Sequence, residues 1–397
     1  MLTLDRIYHA AYVLKDAIRP TDMIKCSADV VPGTSVYLKT ENLQVTGSFK
    51  VRGAYYKISQ LTEEERKKGV IACSAGNHAQ GVARAATKNG IKSLICIPDA
   101  APISKIEATK RLGAEVCLVK GTYDDAYAKA VELQKQSGAV FIHPFDDELV
   151  IAGQGTIGLE IIDKNVDAVV VPVGGGGLLA GVAFAIKSLN PNIKVYGVQA
   201  SGAPSMVQSV KDGQIETLES VHTFQDGIAV KTPGNLTYEI ASKYVDGFVT
   251  VTDDECAAAI LTLLERQKLV TEGAGACAFA AVLFNKIPEI KGKRVCCLLS
   301  GGNIDVTILS RVINRGLQMS GRLADLTIEL LDKPGQLQGV SEIISNMGGN
   351  VVSVSHDRAE LNSDINACYL RISMETRNQA HVDEIKAELV KNGYRLV

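Results

Sequence analysis

Four short segments of the 397-residue sequence carry residue types that could do chemistry together. In the first, Lys50 follows Phe49 in a turn of small residues at the predicted start of a helix. A lysine is most often a solvated surface cation. Here the helix N-terminus and the nearby Arg52 would both lower the pKa of the amine, which favours a nucleophile. Together with a phosphate site, such a lysine would hold an aldehyde cofactor as a Schiff base.

The second segment is a run of four glycines, Gly174, Gly175, Gly176 and Gly177, followed by Leu178. It directly follows an apolar strand and opens a helix, so its backbone N–H groups and the helix dipole could hold one phosphate. A tight strand–helix turn is the alternative, although four glycines exceed what a turn needs. The run lacks the Gly-Lys-Ser/Thr ending of a nucleoside triphosphate loop.

Two further segments place small polar residues at the ends of predicted strands. Ser74, Asn77 and His78 follow the strand Val70–Cys73, and Ser300 follows another strand. Ser74 or Asn77 could simply cap the next helix. The carboxyl end of a strand is also where an α/β sheet binds anions. Because four such strand ends can meet in one cleft, the set indicates a small-molecule site.

A fifth segment matches a dinucleotide motif in the wrong context. Gly153–Gly158 has the GxGxxG pattern. A dinucleotide site needs a strand directly before the pattern and an acidic residue about 20 positions later. Here Asp146–Glu148 precede the pattern, and the region near Leu178 has no carboxylate. We interpret the segment as the start of a helix with close backbone packing.

These segments need a scaffold, and the pattern between residues 35 and 315 predicts one. Short apolar runs alternate with helical patterns such as Asn77–Lys88 and Tyr123–Gln136. This alternation predicts an α/β fold with largely parallel sheets, and runs that are apolar throughout indicate strands covered on both faces. The predicted strands are Ser35–Leu38, Val70–Cys73, Ser93–Ile97, Glu115–Val119, Val140–Ile142, Ala168–Val171, Lys194–Val198 and Val295–Leu299.

The pattern changes near Gly321. Strand and helix periods then follow the order βαββαβ, which predicts a ferredoxin-like module. A strong turn signal, Asp332–Gly335, separates its first strand from its first helix. The segment Asn314–Arg322 is the expected linker.

Composition excludes several classes of function. Lys and Arg number 42 and Asp and Glu 44, for a net charge of −2, which argues against a nucleic-acid-binding protein. The nine cysteines form no Cys-x-x-Cys pair, so no zinc ribbon is indicated, and their spacing fits a reducing, cytoplasmic compartment. The uncharged stretch 168–186 is interpreted as a buried strand, loop and helix, not a membrane span. The first 20 residues lack the apolar region of a signal peptide.

With these four segments together and in order, the chain resembles the serine/threonine dehydratases among the fold-type II pyridoxal-phosphate enzymes. The segments are Ser48–Gly53, Ser74–Gly81, Gly174–Leu178 and Ser300–Asn303. The resemblance covers residues 1–320 and implies a catalytic domain of two α/β lobes with parallel sheets. The tail, residues 323–397, resembles an ACT regulatory domain. The combination is similar to the threonine dehydratases that carry a single ACT domain.

The resemblance implies how the cofactor would be held. Lys50 would carry pyridoxal phosphate as a Schiff base, with Phe49 packed near the cofactor ring. Asn77 would bond the 3′-oxygen of the ring, and Ser300 would face its pyridine nitrogen. The four glycines, with Leu178, would cradle the phosphate.

The resemblance also implies the reaction. Ser74, Asn77 and His78 would orient the substrate carboxylate, and the Lys50 amine would remove the Cα proton. The expected products are 2-oxobutanoate and ammonia from L-threonine, and pyruvate from L-serine. Ser300 cannot hold a pyridinium as a carboxylate would, so elimination is favoured over transamination.

Two departures narrow the choice inside the family. Similar serine racemases have a serine at the position of Ala75, and racemisation needs an acid or base on the second face of the substrate. Alanine cannot supply one, so racemisation is expected to be minor. They also bind a divalent metal through acidic residues where this chain reads Gln199–Ser205, so no metal site is expected at these positions. Glu272 is expected near the substrate without being a ligand.

The ACT-like tail implies an amino-acid effector, isoleucine or valine, at Asp332–Gly335, with a nucleotide as a second candidate effector. It also implies a homo-oligomer, a dimer or tetramer, and oligomerisation alone is the alternative role. The pathway would be isoleucine biosynthesis or threonine catabolism. Rival functions are an L-serine dehydratase, a β-replacement enzyme, and a non-catalytic amino-acid sensor. The sequence Ser74–His78 disfavours β-replacement, and the intact Lys50 disfavours the sensor.

Overall fold

The structure is a computed structural model that describes residues 2–27, 33–357 and 367–397. The chain divides into two compact units, residues 1–306 and 307–397. The helix Val306–Met319, which the sequence assigns to the catalytic domain, therefore falls in the second unit except for its first residue. Most of the expected linker Asn314–Arg322 belongs to this helix.

Strands of the first unit form two sheets. The strands are β1 (Met23–Lys25), β2 (Ser35–Lys39), β3 (Val70–Cys73), β4 (Ser93–Pro98), β5 (Glu115–Val119), β6 (Val140–Phe141), β7 (Ala168–Pro172), β8 (Lys194–Ala200), β9 (Gly247–Val251) and β10 (Arg294–Leu298). The larger sheet has the order β1-β2-β10-β7-β8-β9 and is parallel except for β1. The smaller sheet, β5-β4-β3-β6, is parallel throughout.

Helices connect these strands, as parallel pairing requires. They are α1 (Leu4–Leu14), α2 (Lys50–Ser59), α3 (Glu63–Lys68), α4 (Asn77–Lys88), α5 (Ile103–Arg111), α6 (Tyr123–Ser137), α7 (Glu148–Ile162), α8 (Gly177–Leu189), α9 (Ser205–Asp212), α10 (Asn235–Tyr244), α11 (Asp253–Thr262) and α12 (Gly273–Leu283). A π-helical turn, Leu263–Gln267, follows α11. The two sheets with their helices form the two predicted α/β lobes.

All eight predicted strands occur, with ends that differ by a residue or two. The sequence missed β1 and β9, which lie at the two edges of the larger sheet. β1 has three residues, and β9 is half-buried along most of its length, so neither shows a continuous apolar run. By contrast, every residue of β7 is buried, as expected for a central strand.

The prediction that Gly153–Gly158 begins a helix is wrong, because the segment lies inside α7. The close packing is confirmed. A Cβ atom on Gly181 of α8 would lie 2.6 Å from the backbone nitrogen of Gly155. The glycines let α7 and α8 approach each other, and this contact supports the helix that follows the glycine run.

The second unit has the predicted ferredoxin-like order. Its elements are α13 (Val306–Met319), β11 (Leu323–Leu331), α14 (Gln336–Asn346), β12 (Asn350–Asp357), β13 (Ala367–Glu375), α15 (Gln379–Lys391) and β14 (Arg395–Leu396). The sheet is antiparallel with the order β12-β13-β11-β14. Its core joins alternate residues of β11 and β13, such as Ile328 and Leu370, to Val340 of α14 and Ile385 of α15. This is the architecture of ACT domains.

Candidate active site

Lys50 is the first residue of α2, and the turn before it is held against the end of β10. The Phe49 backbone N–H donates to the Ser300 carbonyl (3.1 Å), and the Gly302 N–H donates to the Gly47 carbonyl (2.8 Å). Gly47 has φ +71° and a hypothetical Cβ only 2.4 Å from the Asn303 side chain, so this turn requires glycine. Two predicted segments are thereby joined.

The Lys50 amine is placed in a setting that favours its neutral form. Nζ donates to the Pro144 carbonyl at 2.9 Å and lies 5.3 Å from the centre of the Phe49 ring. The residue as a whole is half-buried, but desolvation of its amino group lowers the pKa of Lys50 to about 8, against an opposing effect of the Glu272 charge. The amine is therefore a better nucleophile and base near neutral pH than an ordinary lysine.

The prediction that Arg52 lowers the pKa of Lys50 is wrong. Arg52 is fully buried and its charge is compensated by two carboxylates. It makes two 2.8 Å bonds to Glu41, from Nε and from Nη2, and its Nη1 lies 2.5 Å from Glu160. Burial, and not Arg52, lowers the pKa of Lys50. Arg52 acts instead as an anchor for the first turns of α2.

A chain of side-chain amides and a carboxyl joins the other two segments to this turn. Asn77 Nδ2 donates to Glu272 Oε1 at 2.6 Å. Asn303 Nδ2 donates to Asn77 Oδ1 and to the Thr46 carbonyl, each at 2.7 Å. The sequence did not single out Asn303 as a linking residue, because its two partners lie 226 and 257 positions away.

Glu272 lies under this network at the N-cap of α12 and is 5% exposed. Burial and the nearby Asp226 raise the pKa of Glu272 to about 7, while Lys105, Asn77 and Lys50 act in the opposite direction. Its carboxyl therefore titrates close to the pH at which the Lys50 amine does. Perturbed groups of this kind cluster at catalytic sites.

The glycine run lies beside Phe145, the residue after the carbonyl that accepts from Lys50. A Cβ on Gly175 would lie 2.4 Å from the Phe145 ring, and one on Gly177 would lie 2.9 Å from its Cα. Close packing thus explains these glycines by itself. The phosphate interpretation rests on a separate feature: α8 begins at Gly177 with no side chain capping its N-terminus, so backbone N–H groups remain to bind an anion.

Two residues that the sequence did not indicate, Thr237 and Asp146, help to hold the glycine run in place. Thr237 Oγ1 donates to the Gly175 carbonyl at 2.6 Å. The Asp146 carboxylate accepts from the N–H groups of Asn235 (3.0 Å) and Leu236 (2.9 Å), and so caps α10. This cap holds α10 and its Thr237 in place.

The segment after β3 leads into α4, and no side chain caps the N-terminus of this helix. The alternative that Ser74 or Asn77 caps the helix is therefore wrong. Ser74 Oγ instead accepts from the Gly76 N–H at 3.1 Å within the turn. His78 is 3% exposed, and its Nε2 lies 2.8 Å from the Ile142 carbonyl. Burial, with the Lys50 charge, lowers the pKa of His78 to about 3, so the ring is neutral.

The last two predicted residues are buried. Ser300 is 3% exposed, and its hydroxyl makes a long 3.4 Å bond to the Ala274 carbonyl. The Leu178 side chain belongs to the core of the larger lobe, against which Phe49 also packs. Only its backbone N–H can therefore serve the anion site.

These features suit an aldehyde that carries a phosphate. The amine has a lowered pKa, an uncapped helix follows the glycines, and a buried hydroxyl adjoins the lysine turn. Residues 14–301 match the family model described as pyridoxal-phosphate dependent enzyme. The chain belongs to this family. The predicted family and cofactor class are confirmed, while the roles of individual residues stay predictions.

Similar proteins support this assignment over the whole chain. An L-threonine ammonia-lyase of Thermotoga maritima is 50% identical over 100% of this chain and 99% of its own length. Another from Geobacter sulfurreducens is 43% identical over 99% and 98%. The solved threonine deaminase isoform 2 of Solanum lycopersicum has a TM-score of 0.74 and 38% identity, and covers 79% of this chain and 89% of its own. In the described part of this pyridoxal-phosphate enzyme, no helix is both long and apolar enough to cross a membrane.

Proposed function

We propose that this pyridoxal-phosphate enzyme is an L-threonine ammonia-lyase, which converts L-threonine to 2-oxobutanoate and ammonia. The observation that carries the proposal is the Lys50 amine, desolvated and joined through its turn to the Ser300 strand end. The full-length similarity to L-threonine ammonia-lyases supports the choice of substrate. L-Serine, which lacks one methyl group, is a second substrate that gives pyruvate.

Residues already described would hold the cofactor. Lys50 would bind its aldehyde carbon, Phe49 would contact the ring, and Ser300 and Asn77 would meet its polar ring atoms. The backbone N–H groups at the start of α8, from Gly174 to Leu178, would bind the phosphate. When bound, pyridoxal phosphate delocalises the electron pair left when the Cα–H bond of an amino acid breaks.

The protein supplies the remaining parts of the reaction. The Lys50 amine, with its pKa lowered to about 8, accepts the Cα proton. The uncapped N-terminus of α4, beside Ser74 and His78, binds the substrate carboxylate through backbone N–H groups. His78 acts through its bond to Ile142, which fixes the first turn of that helix. Glu272 holds the Asn77 amide in place.

The test compares wild type with Lys50→Ala and with Lys67→Ala, an exposed lysine of α3. Wild type with pyridoxal phosphate should show a visible Schiff-base absorption band and release 2-oxobutanoate and ammonia from L-threonine. Lys50→Ala should lose both, and Lys67→Ala should keep both. A wild-type protein with the band but no keto acid from L-threonine or L-serine would refute the lyase and favour the amino-acid sensor.

We also propose that the second unit binds an amino-acid effector, isoleucine or valine, at Asp332–Gly335, with a nucleotide as the alternative. Gly335 has φ +91° with nothing within 4 Å of a hypothetical Cβ, so Gly335→Ala strains only this turn. Gly393, with φ +87° and the same open surroundings, is its matched control. Gly335→Ala should weaken inhibition by isoleucine or valine, and Gly393→Ala should not. Equal inhibition in both variants and wild type would contradict this site.

Assembly, pathway and compartment complete the proposal. The enzyme forms a dimer or tetramer, which sedimentation measures directly. It serves isoleucine biosynthesis if isoleucine inhibits it, and threonine catabolism if a nucleotide such as AMP activates it. A cytoplasmic location is supported by the nine cysteines, none of which forms a disulfide in the described part of the chain.

A further inference from the structure

Three side chains with metal-binding atoms meet in the second unit, and one of them, Asp332, also begins the turn proposed above to bind the effector. Asp332 directly follows β11, His356 lies in β12, and Cys368 lies in β13. One ligand atom from each lies within 4.8 Å of the other two. His356 Nε2 is 2.9 Å from Cys368 Sγ. We propose that these three residues form a binding site for a zinc-type divalent metal ion.

Strand register explains why these distant residues meet. β13 lies between β12 and β11 in the sheet. Leu370 pairs with His356 on one side, and Cys368 pairs with Leu330 on the other. Since side chains two residues apart share a face, His356 and Cys368 point to the same side of the sheet, one step apart diagonally. The sequence shows no ligand spacing because the three residues come from three separate segments, the end of β11, β12 and β13.

The donor set selects the class of metal. A thiolate, an imidazole and a carboxylate are ligands of Zn²⁺, whereas Mg²⁺ and Ca²⁺ require oxygen donors. Zinc bond lengths of about 2.0–2.3 Å place tetrahedral ligand atoms about 3.3–3.6 Å apart. The three atoms lie within 4.8 Å, so side-chain shifts on the order of 1 Å complete this geometry. Three protein ligands leave the fourth position for water.

Burial and charge also suit a metal ion. Cys368 is 1% exposed in the core, while Asp332 and His356 are exposed, which gives the ion a path from solvent. On binding, the Cys368 thiol releases its proton to water and forms the sulfur–metal bond as a thiolate. One thiolate and one carboxylate balance the two charges of the cation, and the neutral imidazole adds none. Because the thiol and imidazole must be deprotonated, affinity should fall as pH decreases.

The test uses the full-length holoenzyme, freed of metal with a chelator and titrated with Co²⁺. Wild type should bind one equivalent per chain and show a thiolate-to-cobalt charge-transfer band in difference spectra, and Zn²⁺ should displace it. Cys368→Ser should abolish the band. Cys117→Ser, at a half-buried cysteine of β5, should retain it. Wild type without the band, or Cys368→Ser with an unchanged one, would overturn the proposal.

A second variant guards against misfolding of Cys368→Ser, whose side chain lies in the core. His356 is exposed, so His356→Ala should preserve the fold and threonine turnover while it weakens cobalt binding by at least about tenfold. At the same Zn²⁺ concentration, the thermal unfolding midpoint should rise by less in His356→Ala than in wild type. A zinc shift of equal size in both proteins would show that the metal binds elsewhere.

Discussion

Replacing Gly176 with alanine tests whether the glycine run is held in one conformation by the residues behind it. Gly176 has φ +97°, where an L-residue costs about 1–2 kcal/mol. The new Cβ would lie 2.6 Å from Met206 Cε, the flexible end of a side chain, and 2.8 Å from Thr237 Cβ. Thr237 cannot retreat easily, because its hydroxyl is bonded to two carbonyls. Overpacking of this kind adds about 1–3 kcal/mol.

Gly176→Ala should therefore lower the free energy of unfolding by about 2–5 kcal/mol in total. If it persists folded, the shifted backbone should bind pyridoxal phosphate at least about tenfold more weakly, since 1.4 kcal/mol of the strain suffices for that. Gly213, with φ +71° and nothing within 4 Å of a hypothetical Cβ, is the control for the cost of φ alone. Denaturant unfolding and cofactor titration measure both effects. Equal stability of Gly176→Ala and Gly213→Ala, with wild-type cofactor affinity in both, would refute the reasoning.

Three further predictions concern charges and the amide network. In the apoprotein, the rate of Schiff-base formation should rise with pH through about 8 as Lys50 loses its proton. Glu272→Gln should move this rise to lower pH, because it removes the charge that raises the pKa of Lys50. A pH profile that does not move in the variant would contradict this prediction. Burial raises the pKa of Glu41, but the Arg52 guanidinium outweighs this effect and holds the pKa below its usual value of 4.5. Glu41→Gln should therefore lower the free energy of unfolding at pH 7, measured by denaturant unfolding, by about 3–5 kcal/mol. This stabilisation is present above the unfolded pKa and is lost as pH falls through the lower folded pKa, so a gap between variant and wild type that stayed constant in acid would be evidence against the pair. Asn303→Ala removes two 2.7 Å bonds and should lower kcat/KM for L-threonine by about tenfold and the free energy of unfolding by about 1–3 kcal/mol. Kinetics at wild-type level would show that the network is dispensable.

Much of the fold follows from local sequence pattern. The strand β3 and the helix α4 occur at their predicted bounds, because a buried strand is a continuous apolar run and an amphipathic helix has a strong period. The errors fall where local pattern is weak. β9 lies half-buried at a sheet edge, and Gly153–Gly158 lies inside α7, where close contact with α8 overrides the usual cost of glycine in a helix.

The site shows the same division. Lys50, Ser300 and the glycine run could be selected from the sequence because each is a short contiguous motif at a strand or helix end. Thr237 and Asn303 could not be assigned supporting roles, because their function depends on partners distant in the chain. The same limit hid the three residues of the proposed metal site, because Asp332 follows β11 while His356 and Cys368 lie in β12 and β13.

The sequence by itself determined the family and the α/β and ferredoxin-like architectures, and it selected the lysine proposed to bind the cofactor, since each is encoded in residues that are neighbours along the chain. Only the tertiary structure decided the electrostatics. It assigned the lowered pKa of Lys50 to burial, placed Arg52 between Glu41 and Glu160, and raised the pKa of Glu272. Desolvation and Coulomb interactions depend on distance in space and on the exclusion of water, and folding establishes both.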